Sequence, residues 1–154
     1  MRNREFVVGC DNAAVGLKKV VLDLLREEGL SYEDVGVHDE NDTTIYPLIA
    51  EQVARRIIAS NYQKEGILLC GTGIGMAITA NKFPGIYAAV CHDVYSAERA
   101  RLSNNTNVIC LGARVIGPEL ARKVLKEWLE KEFVGGPSLV KVEKIKEIEG
   151  QLRR

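Results

Sequence analysis

A glycine-rich loop carries the residues best suited to chemistry. Residues 65–82 read EGILLCGTGIGMAITANK, and Cys70 ends the apolar run in this segment. Glycines then follow at every second position, at Gly71, Gly73 and Gly75, before an apolar pattern of helical period resumes. The segment is therefore predicted to be a loop between a strand and a helix. Such a loop can bind a nucleotide phosphate or present a reactive thiol.

Nucleotide binding is the weaker of these two interpretations. The Gly-Thr-Gly sequence followed by Gly75 resembles a shortened dinucleotide fingerprint, and Asp93 lies about twenty residues further on, where a ribose-binding acid is expected. The fingerprint normally lies in the first strand–helix–strand unit, however, whereas this loop belongs to the third. Its last glycine also comes one residue too early. No GK[ST] sequence completes a Walker A loop.

Proton transfer by the thiol is the interpretation that uses the whole loop. A cysteine between a strand end and a helix start feels unpaired N–H groups and the positive helix end, which favour the thiolate. Glycines let the backbone approach a ligand, and their N–H groups can bind an oxyanion. A base beside an oxyanion site can remove a proton from a carbon next to a carbonyl. The alternative is a Cys70 that only fills space in a tight turn.

The elements that must hold this loop alternate along the whole chain. Strands are predicted at 5–9, 32–38, 66–70, 86–91 and 107–112, and helices at 12–29, 47–60, 74–82, 93–105, 117–133 and 140–154. This alternation predicts an α/β fold, a three-layer, Rossmann-like, doubly wound parallel sheet of about five strands, as a single domain over residues 1–154. The last helix has only a thin apolar stripe, so we expect it to pack on a neighbour such as a partner subunit.

Polar residues follow several of the predicted strands. Ligands of open parallel sheets bind beyond the carboxyl ends of the strands. The polar residues placed there are Asp11, Asn12, Cys70, Thr72, His92, Asp93 and Arg114. We expect His92 to be structural or to act from behind the site, and His38 to be solvated.

The composition limits the other classes of function. The 21 basic residues balance the 21 acidic ones, so no broad field favours a nucleic acid or a membrane surface. No apolar stretch approaches the ~20 residues of a membrane-spanning helix, and the N-terminus lacks the pattern of a signal peptide. A cytoplasmic location is therefore predicted. The four cysteines lie far apart without a CxxC pair, so we expect reduced thiols and no metal site.

The motif GILLCGTGIGMAITANKFPGI resembles the signature of the type B ribose-5-phosphate isomerase and galactose-6-phosphate isomerase family. Further matching blocks are GCDNAAVGLK, the Tyr-Pro pair at 46–47, NNTNVICLGARVIGPELA at 104–121 and EFVGG, so the resemblance covers residues 5–148. It implies an aldose–ketose isomerase that works through a cis-enediolate without a metal or organic cofactor. It also implies a homodimer or a dimer of dimers, with active sites at the subunit interface.

The resemblance also implies roles for individual residues. Cys70 would be the base that moves a proton between C1 and C2, and Thr72 would help to move the hydroxyl proton. The N–H groups of residues 71–75 would hold the enediolate oxygen. The positions assigned to substrate binding are Asp11, Asn12, Tyr46, Gly71, Gly73, Ile74, Gly75, Asn81, Ser103, Asn104, Arg114 and Lys141.

Some of these positions depart from the family pattern. Asn12 replaces the histidine of an Asp-His motif, and Ser103 falls where the family has a ring-opening histidine. Pro137 and Ser138 fall at phosphate-binding positions, and Lys141 stands at the last phosphate-binding arginine. Lys141 can supply charge, but not the bidentate fork of an arginine.

The departures leave the choice of substrate open. The resemblance as a whole implies interconversion of ribose 5-phosphate and ribulose 5-phosphate. The changed positions concern ring opening and phosphate binding, whereas the proton-transfer loop is intact. A tetrulose phosphate such as erythrulose 4-phosphate, which needs no ring opening, is therefore the alternative substrate. A catalytically silent homologue that binds sugar phosphates is the non-enzymatic alternative.

Overall fold

The computed structural model describes residues 4–152 and contains a five-stranded sheet. The strands are β1 (Glu5–Cys10), β2 (Ser31–Asp34), β3 (Lys64–Cys70), β4 (Ala88–Val90) and β5 (Val108–Gly112). Their order across the sheet is β2-β1-β3-β5-β4, and each neighbouring pair is parallel. This confirms the predicted doubly wound parallel sheet.

Helices cover both faces of this sheet. They are α1 (Val15–Glu27), α2 (Tyr46–Ala59), α3 (Ile74–Ala80), α4 (Val94–Leu102), α5 (Pro118–Glu130) and α6 (Leu139–Leu152). Helices α2 and α3 pack on each other, whereas α5 packs on both α1 and α4. Right-handed crossovers place these two groups on opposite faces of the sheet. The result is the predicted three-layer arrangement.

Several element boundaries differ from the prediction because side chains cap or turn the backbone. The first helix begins as a 3-10 turn at Asn12–Ala14, because the Asp11 carboxylate accepts the Ala13 N–H and caps this turn. Strand β2 ends at Asp34 and not at residue 38, because the Asp34 carboxylate accepts the Gly36 N–H and turns the chain. Such local bonds compete with continued regular structure.

Strands β3 and β5 form the centre of the core. Every residue of β5, and β3 from Gly66 onward, is buried, since both strands have neighbours on either side and helices on both faces. The edge strand β4 is only half-buried. Helix α3, which covers this side of the sheet, has only seven residues, so β4 is incompletely covered.

Helix α6 is attached to its own chain near the start of β4. Val142 is its buried residue, and the Glu149 carboxylate accepts the Gly85 N–H and the Tyr87 hydroxyl. Ile145 and Ile148 stay largely exposed. Packing of this helix on a partner subunit therefore stays a prediction.

Among the helices of residues 4–152, none combines the length and the apolar character needed to cross a bilayer.

Candidate active site

The carboxyl ends of β1 and β3 form a topological switch point. The two strands are neighbours, but the chain leaves β1 toward β2 and leaves β3 toward the other side of the sheet. Cys10 is in register with Leu69, and Cys70 is in register with Gly112. The segments that follow β1, β3 and β5 therefore meet at one edge, where ligands of such sheets bind.

Cys70 lies at the last position of β3, with 5% of its surface exposed. Its Sγ accepts the Gly73 N–H at 3.0 Å. Gly73 adopts a φ of +77°, and a Cβ there would lie 3.1 Å from the Leu111 backbone. Only glycine fits this turn without strain, so the tight turn itself aims an N–H group at the thiol.

Two N–H groups of the loop are used within the loop itself. The Gly73 N–H donates to Cys70 Sγ, and the Ile74 N–H donates to Thr72 Oγ1 at 3.3 Å. The sequence-based expectation was that these groups would hold an enediolate oxygen. In this conformation they instead support the thiol and orient the exposed Thr72 hydroxyl.

Tyr46 closes one side of the loop. It is the first residue of α2, and its ring occupies the space beside Gly75, at the start of α3. A Cβ on Gly75 would lie 2.4 Å from Tyr46 Cζ. The missing side chain at position 75 therefore lets the phenol ring lie against the helix that follows the loop. Ile74 is exposed next to it.

A cation and a carboxylate lie on the other side of the loop. The Arg114 guanidinium lies against Gly71, since a Cβ on Gly71 would be 3.3 Å from Arg114 Nη1. Burial raises the pKa of Asp11, while the Ala13 N–H and the Arg114 charge partly oppose this shift. The neighbouring Asn12 side chain is exposed. The edge thus combines a thiol, a hydroxyl, a carboxyl and a guanidinium.

His92 contacts the backbone that lies next to this edge. Its Nε2 accepts the Gly112 N–H at 2.9 Å, which requires an unprotonated Nε2. Burial lowers the pKa of His92, and nearby Asp93 opposes the shift. A Cβ on Gly112 would lie 2.7 Å from the Thr72 backbone, so the residue that His92 holds lies directly against the loop. This contact agrees with the expectation that His92 acts from behind the site.

Three of the expected substrate-binding residues lie at the opposite edge of the sheet. Asn81 donates to the Ala88 carbonyl at 2.9 Å and accepts the Ala88 N–H at 2.8 Å, so its amide pairs with the first residue of β4. Ser103 and Asn104 precede β5. From its first to its last residue β5 rises about 13 Å. One protomer therefore does not bring these residues to Cys70.

Lys141 is also not part of the Cys70 edge in this chain. It lies exposed on α6. None of the hydrogen bonds or ion pairs described for residues 4–152 joins it to the loop after β3. Its expected role in binding substrate therefore stays a prediction.

Sequence reasoning missed a buried lysine beside β1. Lys18 is 3% exposed, and its Nζ donates to the Val37 carbonyl at 2.6 Å and pairs with Asp34 at 2.9 Å. It also lies 3.2 Å from His38 Nδ1, although the His38 ring is otherwise largely exposed, as expected. The position of Lys18 on the apolar face of α1 was the available signal. The ammonium fixes the turn after β2, which leads toward Tyr46.

Within residues 4–152, no group of three or more His, Cys, Asp or Glu side chains is arranged to hold a metal ion.

The α/β fold and the groups at this edge suit a sugar-phosphate isomerase, and comparison with known proteins shows that class. The chain belongs to the ribose/galactose isomerase family, whose model matches residues 6–145. The resemblance seen in the loop motif is thereby confirmed.

Individual relatives are similar over nearly their whole length. A D-erythrulose-4-phosphate isomerase of Pectobacterium atrosepticum is 54% identical over 90% of this chain and 90% of the relative. A ribose-5-P isomerase B of Listeria innocua is 47% identical over 97% of this chain and 99% of its own. The solved ribose-5-phosphate isomerase B of Clostridium thermocellum superimposes with a TM-score of 0.90 at 38% identity, covering 96% of this chain and 99% of that one.

Proposed function

We propose that the protein interconverts an aldose phosphate and a ketose phosphate through a cis-enediolate, with Cys70 as the base. The observation that carries this proposal is the position of Cys70 Sγ, which accepts the Gly73 N–H at 3.0 Å at the switch point of the sheet. A thiol that only filled the turn would not need a backbone donor aimed at its sulfur. The donor holds the sulfur in a fixed position at the edge where ligands of such sheets bind.

The reaction needs only proton transfers. The Cys70 thiolate removes a proton from the carbon next to the carbonyl, and the electron pair moves onto the carbonyl oxygen to give the enediolate. The exposed Thr72 hydroxyl, two residues after Cys70, moves a proton between the two oxygens. The cysteine then returns its proton to the neighbouring carbon. The overall change moves the carbonyl by one carbon, without oxidant or reductant.

The charged and aromatic groups of the edge are suited to the remaining parts of a sugar phosphate. Arg114, which lies against Gly71, supplies a fixed cation for the phosphate or the enediolate. Asp11 and Asn12 offer polar groups for hydroxyls. Tyr46 forms a wall beside Gly75 that excludes water from one side of the substrate.

A tetrulose phosphate is the substrate that we propose. In the aldose isomer of erythrulose 4-phosphate, the only hydroxyl that could close a five-membered ring carries the phosphate. In the ketose no hydroxyl is placed to close such a ring, so both sugars are open chains. Ser103 cannot act as a histidine does in ring opening. The 54% identical relative is named for this substrate. Ribose 5-phosphate is the second candidate, because the Listeria relative, which matches over more of this chain, is named for it.

The protein is proposed to act as a homodimer or a dimer of dimers with shared sites. Asn81, Ser103 and Asn104 lie at the amino edge of the sheet, about 13 Å or more from Cys70. They can contact the same substrate as Cys70 only if a second copy supplies them. Lys141 is assigned to the partner for the same reason. A cytoplasmic location stays a prediction from the sequence.

Steady-state isomerisation of D- and L-erythrulose 4-phosphate and of D-ribose 5-phosphate tests the proposal. Cys70→Ala should lower kcat by about 10³-fold or more, in the range of a lost general base. Cys91→Ala is the matched control, because Cys91 is a buried core thiol just after β4, and its sulfur is bonded to the Ala89 carbonyl and not to an N–H group in the described structure.

Different results of these assays test the role of Cys70 and the identity of the substrate separately. An active Cys70→Ala variant contradicts the role of the thiol. A higher kcat/KM for ribose 5-phosphate than for either tetrulose phosphate refutes the four-carbon proposal and leaves the base unaffected.

A further inference from the structure

A buried guanidinium lies beneath the turn that carries Ser103 and Asn104. Arg101 belongs to the last turn of α4 and is 4% exposed. Its Nη1 donates to the Thr106 carbonyl at 2.6 Å, and its Nε donates to the Trp128 carbonyl at 3.2 Å. The guanidinium also stacks on the Trp128 ring, with Cζ 3.6 Å from the ring centroid.

A single carboxylate completes the surroundings of this cation. Glu65, near the start of β3, accepts from both terminal nitrogens of Arg101, with Nη1 2.8 Å from Oε1. Arg4 binds the same carboxylate at 2.6 Å. Arg101 thus joins three elements, the start of β3, the end of α4 and helix α5, at the amino edge of the sheet.

The turn after α4 is held at both of its ends. Asn105 adopts a φ of +51°, and its N–H donates to the Arg101 carbonyl at 3.1 Å, so the chain turns at the end of α4. The Thr106 hydroxyl accepts the Trp128 Nε1–H at 2.9 Å, and its carbonyl is bound by Arg101. Next along the chain, the Asn107 amide accepts the Tyr87 N–H at 2.8 Å and donates to the Gly85 carbonyl at 2.8 Å.

Such an arrangement is a poor means of stabilising a core. Burying a guanidinium carries a desolvation penalty that apolar residues of similar volume avoid, so a buried ion pair is weak support for stability as such. Its directional donors, in contrast, fix the position of the atoms that they bind. The Thr106 carbonyl is one of those atoms, two residues from Asn104. The arrangement therefore favours a role in defining the geometry of the turn.

We propose that Arg101 is a positioning residue that acts across the subunit interface, by holding the Ser103–Asn104 turn in the geometry that completes the neighbouring protomer's active site. The inference rests on the shared site of the proposed function. Arg101 does not touch the substrate. A displacement of about 1 Å in a group that contacts the substrate can lower the rate about 10²-fold.

Subunit complementation tests this inference. Arg101→Met removes the charge and keeps an apolar stem on Trp128, while Arg101→Lys keeps the charge without the fork. Both homodimers should have kcat/KM lowered about 10- to 100-fold. Arg99→Met is the control on the same helix, since the Arg99 side chain is more exposed, pairs with Glu98 and lies over the Tyr95 ring.

The activity of hybrid dimers shows whether Arg101 acts across the interface or within its own protomer. The hybrid dimer contains one Arg101→Met protomer and one Cys70→Ala protomer and is purified through two tags. One of its two sites combines the intact Cys70 of the first protomer with the turn of the second, which keeps Arg101. It should recover about half of the parent activity per dimer, far above either variant homodimer. The Trp128 emission, from the only tryptophan in the chain, reports packing around the guanidinium separately.

The other possible results contradict either this inference or the proposed function. A hybrid no more active than the Arg101→Met homodimer means that Arg101 acts within its own protomer, and the inference fails. Full activity of both Arg101 homodimers also refutes it. If Arg101→Met does not fold, the Arg101→Lys hybrid gives the same comparison. An active Cys70→Ala homodimer refutes the proposed function instead.

Discussion

At the scale of single residues, His92 shows how a titratable group can hold the backbone next to the site. Its Nε2 accepts the Gly112 N–H, and Gly112 lies against the backbone of Thr72. Only an imidazole with an unprotonated Nε2 can accept this bond. The position of the loop is thereby coupled to the protonation of a side chain behind it.

The pH dependence of stability checks this coupling. Burial lowers the pKa of folded His92 below the ~6.5 of an unfolded histidine, so the unfolded state binds more protons below that pH. The contribution of His92 is therefore present above pH ~6.5 and is lost as the pH falls toward the folded pKa. His92→Gln keeps an acceptor that does not titrate, so its free energy of unfolding should fall less between pH 7.5 and 5.5.

Urea unfolding of both proteins at these two pH values provides the measurement. Since the His92 ring is partly exposed, we expect only a small difference between the two proteins in the stability lost on acidification. Their free energies of unfolding at pH 7.5 serve as the reference. Equal losses of stability in the two proteins would show that His92 does not titrate differently on folding.

At the scale of elements, the contact between α2 and α3 shapes the site. Tyr46 at the start of α2 lies against Gly75 at the start of α3, in space that a Cβ would fill. The residues of the contact are far apart in the chain, yet each lies one helical turn or less from a helix N-terminus. The junction of these two helices thus sets the wall beside the Cys70 loop.

Gly75→Ala tests this junction, with Gly16→Ala as a matched control. An alanine methyl at 75 would lie 2.4 Å from Tyr46 Cζ, and the ring, being the far end of a side chain, should rotate away. We expect kcat/KM to fall at least 10-fold, with a loss of stability of no more than about 1–3 kcal/mol. Gly16 has no atom within 4 Å of the corresponding position, so its alanine variant should keep full activity and gain about 0.4–1 kcal/mol.

Kinetics and urea unfolding of both variants give these values. If Gly75→Ala has the parent's kcat/KM, the position of Tyr46 is not important for the reaction.

At the scale of the whole molecule, one face of the sheet is less covered than the other. Helices α1, α4 and α5 cover one face of the sheet. Only α2 and the short α3 cover the other face, where β4 is incompletely covered. Ile74 and Ile78 expose more than half of their surface on α3, and Ile145 and Ile148 are exposed on α6. Apolar surface of this kind is typical of a contact with another chain. The proposed dimer would cover it.

Ile78→Asp should prevent this association. We expect a folded monomer with kcat/KM lowered by about 10²-fold or more, because the residues at the amino edge would no longer reach a partner's Cys70. Leu120→Asp is the control, since Leu120 is similarly exposed on α5, on the opposite face. Light scattering and activity measured on the same samples give the result. A dimeric, active Ile78→Asp variant would show that subunits meet elsewhere.

The sequence by itself determined the order of strands and helices and the identity of the Cys70 loop. Apolar periodicity and glycine spacing are local properties, so they can be read from neighbouring residues. The carboxyl-edge cluster of Asp11, Cys70, Thr72 and Arg114 followed from the rule that parallel strands end at one edge.

Only the tertiary structure decided which of the other residues share that edge. It placed β5 between β3 and β4, and it placed Ser103 and Asn104 at the opposite edge from Cys70. It also buried Lys18 and directed the Gly73 N–H to the Cys70 sulfur. These features depend on pairing and packing between segments distant in the chain, and local sequence patterns do not specify such contacts.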